Sequence, residues 1–395
     1  MPKMLMKAES LNTRGMRIAS IDCIPVEMEV KPRSEKEGLA PYNSSNRGRK
    51  IDISDQYEVE TRKRMLIRLE TKEGITGWGE MLITLKSVEA TTAMLRNVVF
   101  PKLKGKSISD IESFIDSIYY PYMKISPLLG GVEMAMLDAL GKHLETPLYD
   151  LLGGKHTGTV PLAYCVGILD PEQSRDHAQR AVEMGFEVLK TKGGRDWRVD
   201  VKRIQAMHNE VGDALDFRLD PNQAYSPEDA VRFASTLEDH GIYLQYLEQP
   251  VRTERFGNMK RLRQRVRTPI AANEDAYFEG NVHHLIKEDA IDVAVVDLIP
   301  SGGIHAVRKT AAMCAQASVS VAHHSGFDLG IKTAAVLHTF ASTPGLNLAP
   351  DTIYYSWKDD ILESRLKLEN GTMKVPDGPG LGVDVDEERI EKYRM

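Results

Sequence analysis

From about residue 160 onward, short apolar runs alternate with stretches of helical period. The apolar runs have the length of strands, and we predict strands at 160–166, 186–190, 216–220, 243–248, 269–273, 293–297, 319–324 and 346–349. Helical patterns lie between them, for example at 173–184, 227–240 and 303–317. The repeat of about 24 to 28 residues suits one strand, one helix and two loops, which predicts a parallel (β/α) barrel.

The first part of the chain has a different pattern. Residues 61–80 alternate between polar and apolar around a turn, which predicts a hairpin. Helical patterns follow at 87–100, 108–120 and 131–143. We therefore predict an α+β domain over residues 1–152 and a barrel over 153–369. The turn-rich tail, 370–395, is expected to pack back on the first domain. The polar segment 31–57 lacks periodicity and is read as a loop, either a lid over the barrel or plain surface.

Composition narrows the class of protein. The 395 residues carry a net charge of -6, which leaves no electrostatic footprint for nucleic acid. The three cysteines lie far apart in sequence, as expected for reduced thiols in a cytoplasmic protein. No apolar stretch is long enough for a membrane span or a secretion signal, so we expect neither.

Ionisable and amide side chains stand where the predicted strands end. In a parallel barrel these ends open on one face, where loops build the active site. The side chains are therefore expected to converge on one cavity. They are Lys190, Lys192, Asp220, Glu248, Asn273 with Glu274, Asp297, His323 with His324, and Asp351.

The two lysines are two residues apart and so share a strand face. If both point into the barrel, each disfavours the charge of the other, and a lowered pKa would make one a neutral base. The alternative is two lysines extending into solvent at a frayed strand end.

Asp220, Glu248 and Asn273 offer three oxygen ligands from consecutive strands. Without Cys or His, this set predicts Mg²⁺, with Mn²⁺ possible, and leaves coordination positions for water and substrate. Asn273 and its neighbour Glu274 face opposite sides of a strand, so we expect one ligand from this pair. Spacing favours Asn273, which lies 24 residues before Asp297, whereas charge favours Glu274.

Asp297 and one of the adjacent histidines complete the opposite wall. A carboxylate bonded to His fixes its tautomer and raises its basicity, which suits acid/base work. We select His324 for the cavity and assign His323 to the helix side. Asp351 after the eighth strand is expected to orient His324, to contact substrate, or to serve as a helix N-cap.

With these residues in hand, the chain resembles the enolase superfamily, of the mandelate racemase and muconate lactonizing enzyme type. The matching segments are Gly77-Trp78-Gly79-Glu80, Glu133-Met134-Ala135-Met136-Leu137-Asp138, Leu189-Lys190-Thr191-Lys192-Gly193-Gly194, Leu219-Asp220-Pro221-Asn222 and Leu247-Glu248-Gln249-Pro250. The resemblance implies a modified TIM barrel with an α+β N-terminal capping domain, a homo-oligomer, and a Lys or His base working beside Mg²⁺.

Three further segments are similar to the glucarate dehydratase branch: Pro269-Ile270-Ala271-Ala272-Asn273, His324-Ser325-Gly326-Phe327-Asp328 and Ala349-Pro350-Asp351-Thr352. The resemblance implies dehydration of a small-molecule acid sugar to a keto-deoxy acid. It assigns catalytic roles to Lys190, Lys192, Asn222, Asp297, His324 and Asp351, and metal binding to Asp220, Glu248 and Asn273.

Two other functions remain open at this point. A racemase or epimerase would use the same Lys and His pair without losing hydroxide. A catalytically inactive barrel that binds a ligand is a second possibility, although all the acid/base residues are retained. A metallohydrolase is disfavoured because the first predicted strand carries no His-x-His.

Overall fold

The structure of the protein is a computed structural model that describes residues 16–30, 61–83, 87–118 and 124–395. The predicted loop 31–57 lies outside the described residues. None of the helices in the described part of the chain has both the length and the apolar composition that crossing a bilayer requires.

The first domain is a three-stranded antiparallel sheet covered by helices. Its strands are β1 (Ile18–Glu29), β2 (Thr61–Thr71) and β3 (Thr76–Met81). Its helices are α1 (Val88–Met94), α2 (Ile111–Ser117), α3 (Gly130–His143) and α4 (Leu148–Leu151). Helix α3 lies against β3 so closely that a Cβ on Gly79 would stand 1.8 Å from the carbonyl oxygen of Gly131. Glycine at position 79 therefore allows this packing.

The predicted hairpin and helices of this domain are present, with shifted ends. The helix expected over 87–100 is α-helical only to Met94 and continues as a wider π-helical turn, Leu95–Val99. The helix expected over 108–120 is the shorter α2. Helix α3 begins one residue before the predicted 131–143.

The second domain is the predicted parallel barrel, here nearly closed. The chain enters through a short strand outside the barrel, β4 (Thr159–Pro161). The eight barrel strands are β5 (Ala163–Val166), β6 (Val188–Lys192), β7 (Asp216–Asp220), β8 (Tyr246–Glu248), β9 (Ile270–Ala272), β10 (Val293–Val296), β11 (Ser320–His323) and β12 (Asp351–Thr352). They pair in chain order from β5 to β11, and β12 pairs with β5. Fold class is thus an α/β barrel with a separate α+β domain, as predicted.

The eighth strand corrects one prediction. The pattern placed it at 346–349, with Asp351 beyond its end, but the paired residues are Asp351 and Thr352, which face Ala163 and Tyr164 of β5. The predicted stretch contacts the other neighbour instead, because the backbone N–H groups of residues 347 and 348 donate to the carbonyl oxygen of Val321 at 3.2 and 3.1 Å. The segment therefore bridges β11 and β5 in two pieces.

Helices cover the outside of the barrel. They are α5 (Pro171–Glu183), α6 (Trp197–Val211), α7 (Pro227–Asp239), α8 (Phe256–Arg263), α9 (Glu279–Lys287), α10 (Ile304–Gln316) and α11 (Gly330–Ala341). Several begin at side-chain caps of the expected kind: Asp170 forms a capping box with Gln173, and Ser226 accepts from the N–H of Asp229.

The C-terminal tail contains β13 (Leu368–Glu369), β14 (Thr372–Lys374) and α12 (Glu387–Tyr393). Strand β14 pairs with both β13 and β4. At the last residue, the N–H of Met395 donates to the carbonyl oxygen of Pro25 in β1 at 3.0 Å. The tail thereby contacts the first domain.

Candidate active site

The period of two along each strand sets which side chains enter the barrel. Tyr246, Ala271, Val295 and Ala322 pack together as a layer inside it, on four successive strands. Two residues further along those strands, on the same face, stand Glu248, Asn273, Asp297 and His324. Lys190 and Lys192 repeat this relationship on β6, as do Arg218 and Asp220 on β7. The predicted site residues thus meet at the C-terminal end of the barrel.

One side of this end is a buried cluster of lysines and carboxylates. Nζ of Lys192 lies 2.5 Å from Oδ2 of Asp220. Nζ of Lys190 donates to Oε1 of Glu248 at 2.7 Å and to Oδ2 of Asp351 at 2.7 Å, and lies 3.7 Å from Oδ2 of Asp220. Lys190 is therefore an ion-pair partner at the floor of the cluster, whereas Lys192 is 22% exposed toward the barrel mouth.

The predicted lowering of a lysine pKa is wrong for this structure. Burial disfavours the charge of Lys192 and Lys190 lowers its pKa further, but attraction to Asp220 outweighs both and raises the pKa. Burial of Lys190 is likewise outweighed by Asp351, Glu248 and Asp220, and its pKa lies well above the ordinary value. The prediction considered the two cations and omitted the carboxylates of the neighbouring strands.

Asp220 is held from its own loop as well. Its Oδ1 accepts from the backbone N–H of Asn222 at 2.8 Å, and its Oδ2 accepts from the Asn222 amide at 3.2 Å. Burial would raise the pKa of Asp220, but Lys192 and Lys190 lower it far more, so the carboxylate stays ionised. Asn222 thus holds the carboxylate of Asp220 in place.

Several non-glycine residues that follow the site residues have left-handed backbones. The φ angles are 45° at Asn222, 68° at Gln223, 32° at Gln249 and 62° at Phe327. Such conformations cost free energy in L-residues and are enriched at functional sites. Gln249 shows what the geometry achieves: its Oε1 accepts from the backbone N–H of Asn273 at 3.0 Å and so fixes the end of β9.

The two candidates for the third ligand are placed differently. The amide of Asn273 accepts from the hydroxyl of Tyr277 at 3.0 Å and donates to the carbonyl of Val295 at 3.0 Å. Glu274 accepts from Gln223 at 2.9 Å through Oε1, and its buried Oε2 has no hydrogen-bond partner among the described residues. Burial first, and then the charge of Asp220, raise the pKa of Glu274 to about 7. Strand alternation places Asn273 on the inner face, while Glu274 begins the turn beyond the strand.

On the opposite wall, Nδ1 of His324 lies 3.2 Å from Oδ2 of Asp297. Asp297 is buried, which would raise its pKa, but Lys332 and the hydrogen bond from His324 lower it strongly. The neighbouring His323 is turned away: its Nε2 accepts from the backbone N–H of Leu298 at 3.1 Å, and burial lowers its pKa to about 4. His324 is therefore the histidine at the cavity.

Asp351 is not a helix N-cap, because it lies in β12 and forms ion pairs. Its Oδ2 contacts Lys190, and its Oδ1 accepts from Nη1 of Arg218 at 3.1 Å. Arg218 is fully buried inside the barrel, stacked 4.7 Å over the ring of Tyr246. Burial of Asp351 raises its pKa, but the charges of Lys190 and Arg218 prevail and lower it. The sequence analysis did not identify Arg218. It could have done so, because Arg218 lies two residues before Asp220 and therefore on the same inward face of β7.

The first domain also contributes to the site. Nε of Arg64 donates to the carbonyl of Phe327 at 2.7 Å, and Nη2 donates to the carbonyl of Gly326. Glu80 accepts from the backbone N–H groups of Leu329 and Lys332 at 2.7 and 2.9 Å, at the start of α11. Both contacts hold the loop that follows His324. The sequence singled out Glu80 within a matching motif, but not Arg64, which stands in the polar part of the hairpin.

A cavity of about 60 Å³ lies between the two walls. Lys192 of β6 and His324 after β11 both line it, with Val166, Ile353 and Phe327 as apolar lining. A group held there would meet an amine and an imidazole, and both groups can transfer protons.

A divalent cation fits the carboxylate side. Asp220 and Glu248 are carboxylates and Asn273 is an amide, a set of hard oxygen donors. No group of three or more His, Cys, Asp or Glu among the described residues is spaced to bind a metal, so any such ion would need the amide or the substrate. Glu248 Oε2 forms an ion pair of 2.6 Å with Nζ of Lys190, and Glu274 Oε2 has no hydrogen-bond partner among the residues that the structure describes. Buried carboxylate oxygens of this kind are stabilised by a cation.

Comparison with known proteins agrees with the fold. The enolase C-terminal domain-like family matches residues 173–389, and the mandelate racemase / muconate lactonizing enzyme N-terminal domain matches residues 50–153. The chain therefore belongs to the enolase superfamily of enzymes.

Relatives within the superfamily differ in reaction. A crystal structure of an enolase from Streptomyces coelicolor shares 31% identity with a TM-score of 0.83, covering 96% of each chain. A probable glucarate dehydratase from Streptomyces coelicolor is 30% identical over 96% of this chain and 91% of its own length. The L-Ala-D/L-Glu epimerase of Bacillus subtilis is 28% identical over 82% and 90%. These relatives share the fold, and their names give different reactions.

Proposed function

We propose that the protein is an acid-sugar dehydratase that depends on Mg²⁺, with Mn²⁺ as an alternative. It removes the proton α to a carboxylate and eliminates the β-hydroxyl, giving a keto-deoxy acid. The observation that carries this proposal is that Lys192 and His324 line one cavity, next to the carboxylates of Asp220 and Glu248.

Asp220, Glu248 and Asn273 would hold the metal ion. When bound, the ion would neutralise the charge that develops on the substrate carboxylate as the α-proton leaves. Burial and the charge of Asp220 raise the pKa of both Glu248 and Glu274, and a bound cation would favour the ionised form of each carboxyl group.

Lys192 and His324 carry out the proton transfers in this proposal. Lys192 or His324 takes the α-proton, depending on which face of the substrate carries it. Lys192 acts as a base only in its neutral form, which its contact with Asp220 disfavours in the unliganded protein. His324, held in one tautomer by Asp297, then protonates the departing hydroxyl. Lys190 and Arg218 hold Asp351 at the floor, and Asn222 orients Asp220 and lies beside the substrate carboxylate. Positioned acids and bases of this kind supply roughly 10² to 10⁴ in rate each.

Two observations favour dehydration over other reactions: the contact between His324 and Asp297, and the similarity to a probable glucarate dehydratase. Loss of hydroxide requires a general acid, and His324 with Asp297 is built as one. The probable glucarate dehydratase aligns across nearly the whole chain, and the segments around Asn273, His324 and Asp351 are similar to that branch.

The direct test is a screen of acid sugars with Mg²⁺, followed by a keto-acid assay. Lys192→Ala serves as the blank. Keto acid formed by the wild type and absent with the variant supports the proposal. Equal signals from the two proteins, or none from the wild type across aldonic and aldaric acids, would reject it.

Epimerisation is the second candidate, because inversion of a carbon requires two acid/base groups and two such groups, Lys192 and His324, line the cavity. The epimerase of Bacillus subtilis supports it by relationship. Reaction in D₂O separates the two: an epimerase incorporates deuterium at the α-carbon without releasing a keto acid.

A further inference from the structure

Helix α11 contains a lysine where no solvent reaches. All twelve residues of α11 are buried, and the side chain of Lys332 is 1% exposed. A buried ammonium is strongly unfavourable unless it is paired. Lys332 is paired twice: Nζ lies 2.8 Å from Oδ1 of Asp297 and 2.8 Å from Oδ1 of Asp328.

Asp297 connects this lysine to the catalytic wall. Its Oδ1 faces Lys332 and also accepts from the backbone N–H of Ile299 at 2.9 Å, while its Oδ2 faces Nδ1 of His324 at 3.2 Å. One carboxylate thus bridges an ammonium and an imidazole. Its two oxygens are divided between them, so rotation of the carboxylate would break both contacts.

The lysine changes what the carboxylate does to the histidine. An anionic carboxylate alone attracts a proton to the imidazole that it faces. The ammonium of Lys332, fixed on the other oxygen of Asp297, opposes that attraction. It repels a protonated His324, and two charges separated by one carboxylate group interact by a few kcal/mol. The buried lysine also keeps Asp297 ionised, because attraction to Lys332 is the largest influence lowering its pKa.

Other charged groups surround this pair. Asp328 follows His324 in the loop, and His323 precedes it in β11. Asp351 faces His324 electrostatically from β12, and Lys192 lines the same cavity from β6. From the first domain, Arg64 and Glu80 lie near Asp328. Lys332 is distinguished from all of these by the direct contact of its ammonium group with Asp297.

We propose that Lys332 is a positioning residue: it fixes the orientation of Asp297 and sets the pH at which His324 exchanges its proton. The catalytic consequence rests on the proposed function, in which His324 transfers protons. The effect of Lys332 on Asp297 and His324 does not depend on the proposed function. Lys332 touches neither substrate nor reacting atoms and acts through Asp297.

The test is a histidine titration followed by NMR. The full chain is labelled with ¹⁵N-histidine and kept in Mg²⁺, and the His324 signal is assigned from its absence in His324→Asn. Lys332→Met replaces the ammonium with an apolar group of similar length. The midpoint of the His324 titration should move up by roughly one pH unit or more, since the opposing cation is lost. An unchanged midpoint in a folded variant overturns the proposal.

A second variant keeps the test decisive if Lys332→Met does not fold. Asp328→Asn retains Lys332 and removes its other carboxylate, so the cation acts more strongly on Asp297 and His324. The midpoint should then move down, opposite to the first variant. An upward shift or no shift overturns the proposal. Lys202→Met on the exposed face of α6 is the matched control and should leave the midpoint in place.

The titration separates failure of this inference from failure of the proposed function. It needs no substrate, so it gives a result even if no acid sugar is turned over. If a substrate is found, the acid limb of the pH–rate profile should move upward in Lys332→Met, in step with the NMR midpoint. A residue with only a structural role would lower stability and leave both unchanged.

Discussion

Lys192 and Asp220 form an ion pair of 2.5 Å across neighbouring strands, so a candidate acid/base group and a candidate metal ligand share one contact. The pair explains why the pKa of Lys192 is raised despite burial and despite the nearby Lys190. It also links the two halves of the site, because a cation bound to Asp220 acts on the same carboxylate that holds the lysine.

The identity of the third metal ligand can be tested by two substitutions on adjacent residues. We expect Asn273→Ala to weaken Mg²⁺ binding by about tenfold or more, because the inner face of β9 loses an oxygen donor. Glu274→Gln should weaken it less, because Glu274 stands beyond the strand and would lose only its charge. Isothermal titration calorimetry with Mg²⁺ measures both.

Glu248→Gln provides the reference in that experiment, because Glu248 is a proposed metal ligand whichever of Asn273 and Glu274 is the third. If Glu274→Gln abolished binding while Asn273→Ala left it intact, the assignment of Asn273 would be wrong and Glu274 would take its place.

Arg64 should couple the first domain to catalysis. In Arg64→Met the carbonyls of Gly326 and Phe327 lose their donor, and Glu80 and Asp328 lose a buried cation. We expect a loss of about 3 kcal/mol in the free energy of unfolding, and a fall in kcat because the loop after His324 is no longer held. Chemical denaturation and steady-state kinetics measure the two effects.

The matched control is Lys63→Met, one position earlier in β2 and exposed. It should change neither quantity by much. Equal effects of the two substitutions would show that the loop does not depend on Arg64.

His338 predicts how stability responds to acid. It is fully buried in α11, accepts from the backbone N–H of Tyr149 through Nδ1 and contacts the carbonyl of Leu381 through Nε2. Burial lowers its pKa from 6.5 to about 4. A depressed folded-state pKa stabilises the protein above pH 6.5, and this contribution is lost as the pH falls toward 4. The loss should reach about 3 kcal/mol.

Denaturation curves between pH 7 and pH 4 test this for wild type and His338→Gln. The variant should be less stable at pH 7 but should show a shallower decline with acid. His283→Gln, at an exposed position in α9, should keep the full decline. An identical slope in all three proteins would contradict the assignment.

Much of the architecture follows from local pattern. An apolar run of strand length marks β10, whose four residues are all apolar and buried, because strands inside a parallel barrel are buried on both faces. The polar residues at the strand ends converge because the C-terminal ends of all the strands in a parallel barrel lie on one face. The choice of His324 over His323 follows from the same period of two.

The features that the sequence did not predict depend on contacts between residues that are far apart in the chain. The eighth strand was displaced because Asn347 and Asp351 bond to different strands, which no local pattern reveals. The pKa of Lys192 was predicted in the wrong direction because Asp220 lies 28 residues away in sequence. Lys332 did carry a signal, as a single lysine in an otherwise apolar helix start. Its partner Asp297 became evident only in three dimensions.

The account rests on Lys192 and His324 acting on one substrate, and loss of its α-proton measures this most directly. With a substrate from the screen, wild type in D₂O with Mg²⁺ should lose the α-proton and place solvent deuterium on the former β-carbon of the keto acid, as followed by ¹H NMR. Lys192→Ala and His324→Asn should each slow this reaction by roughly 10² to 10⁴, while still binding Mg²⁺. Loss of the α-proton at the wild-type rate in the double variant would contradict the account.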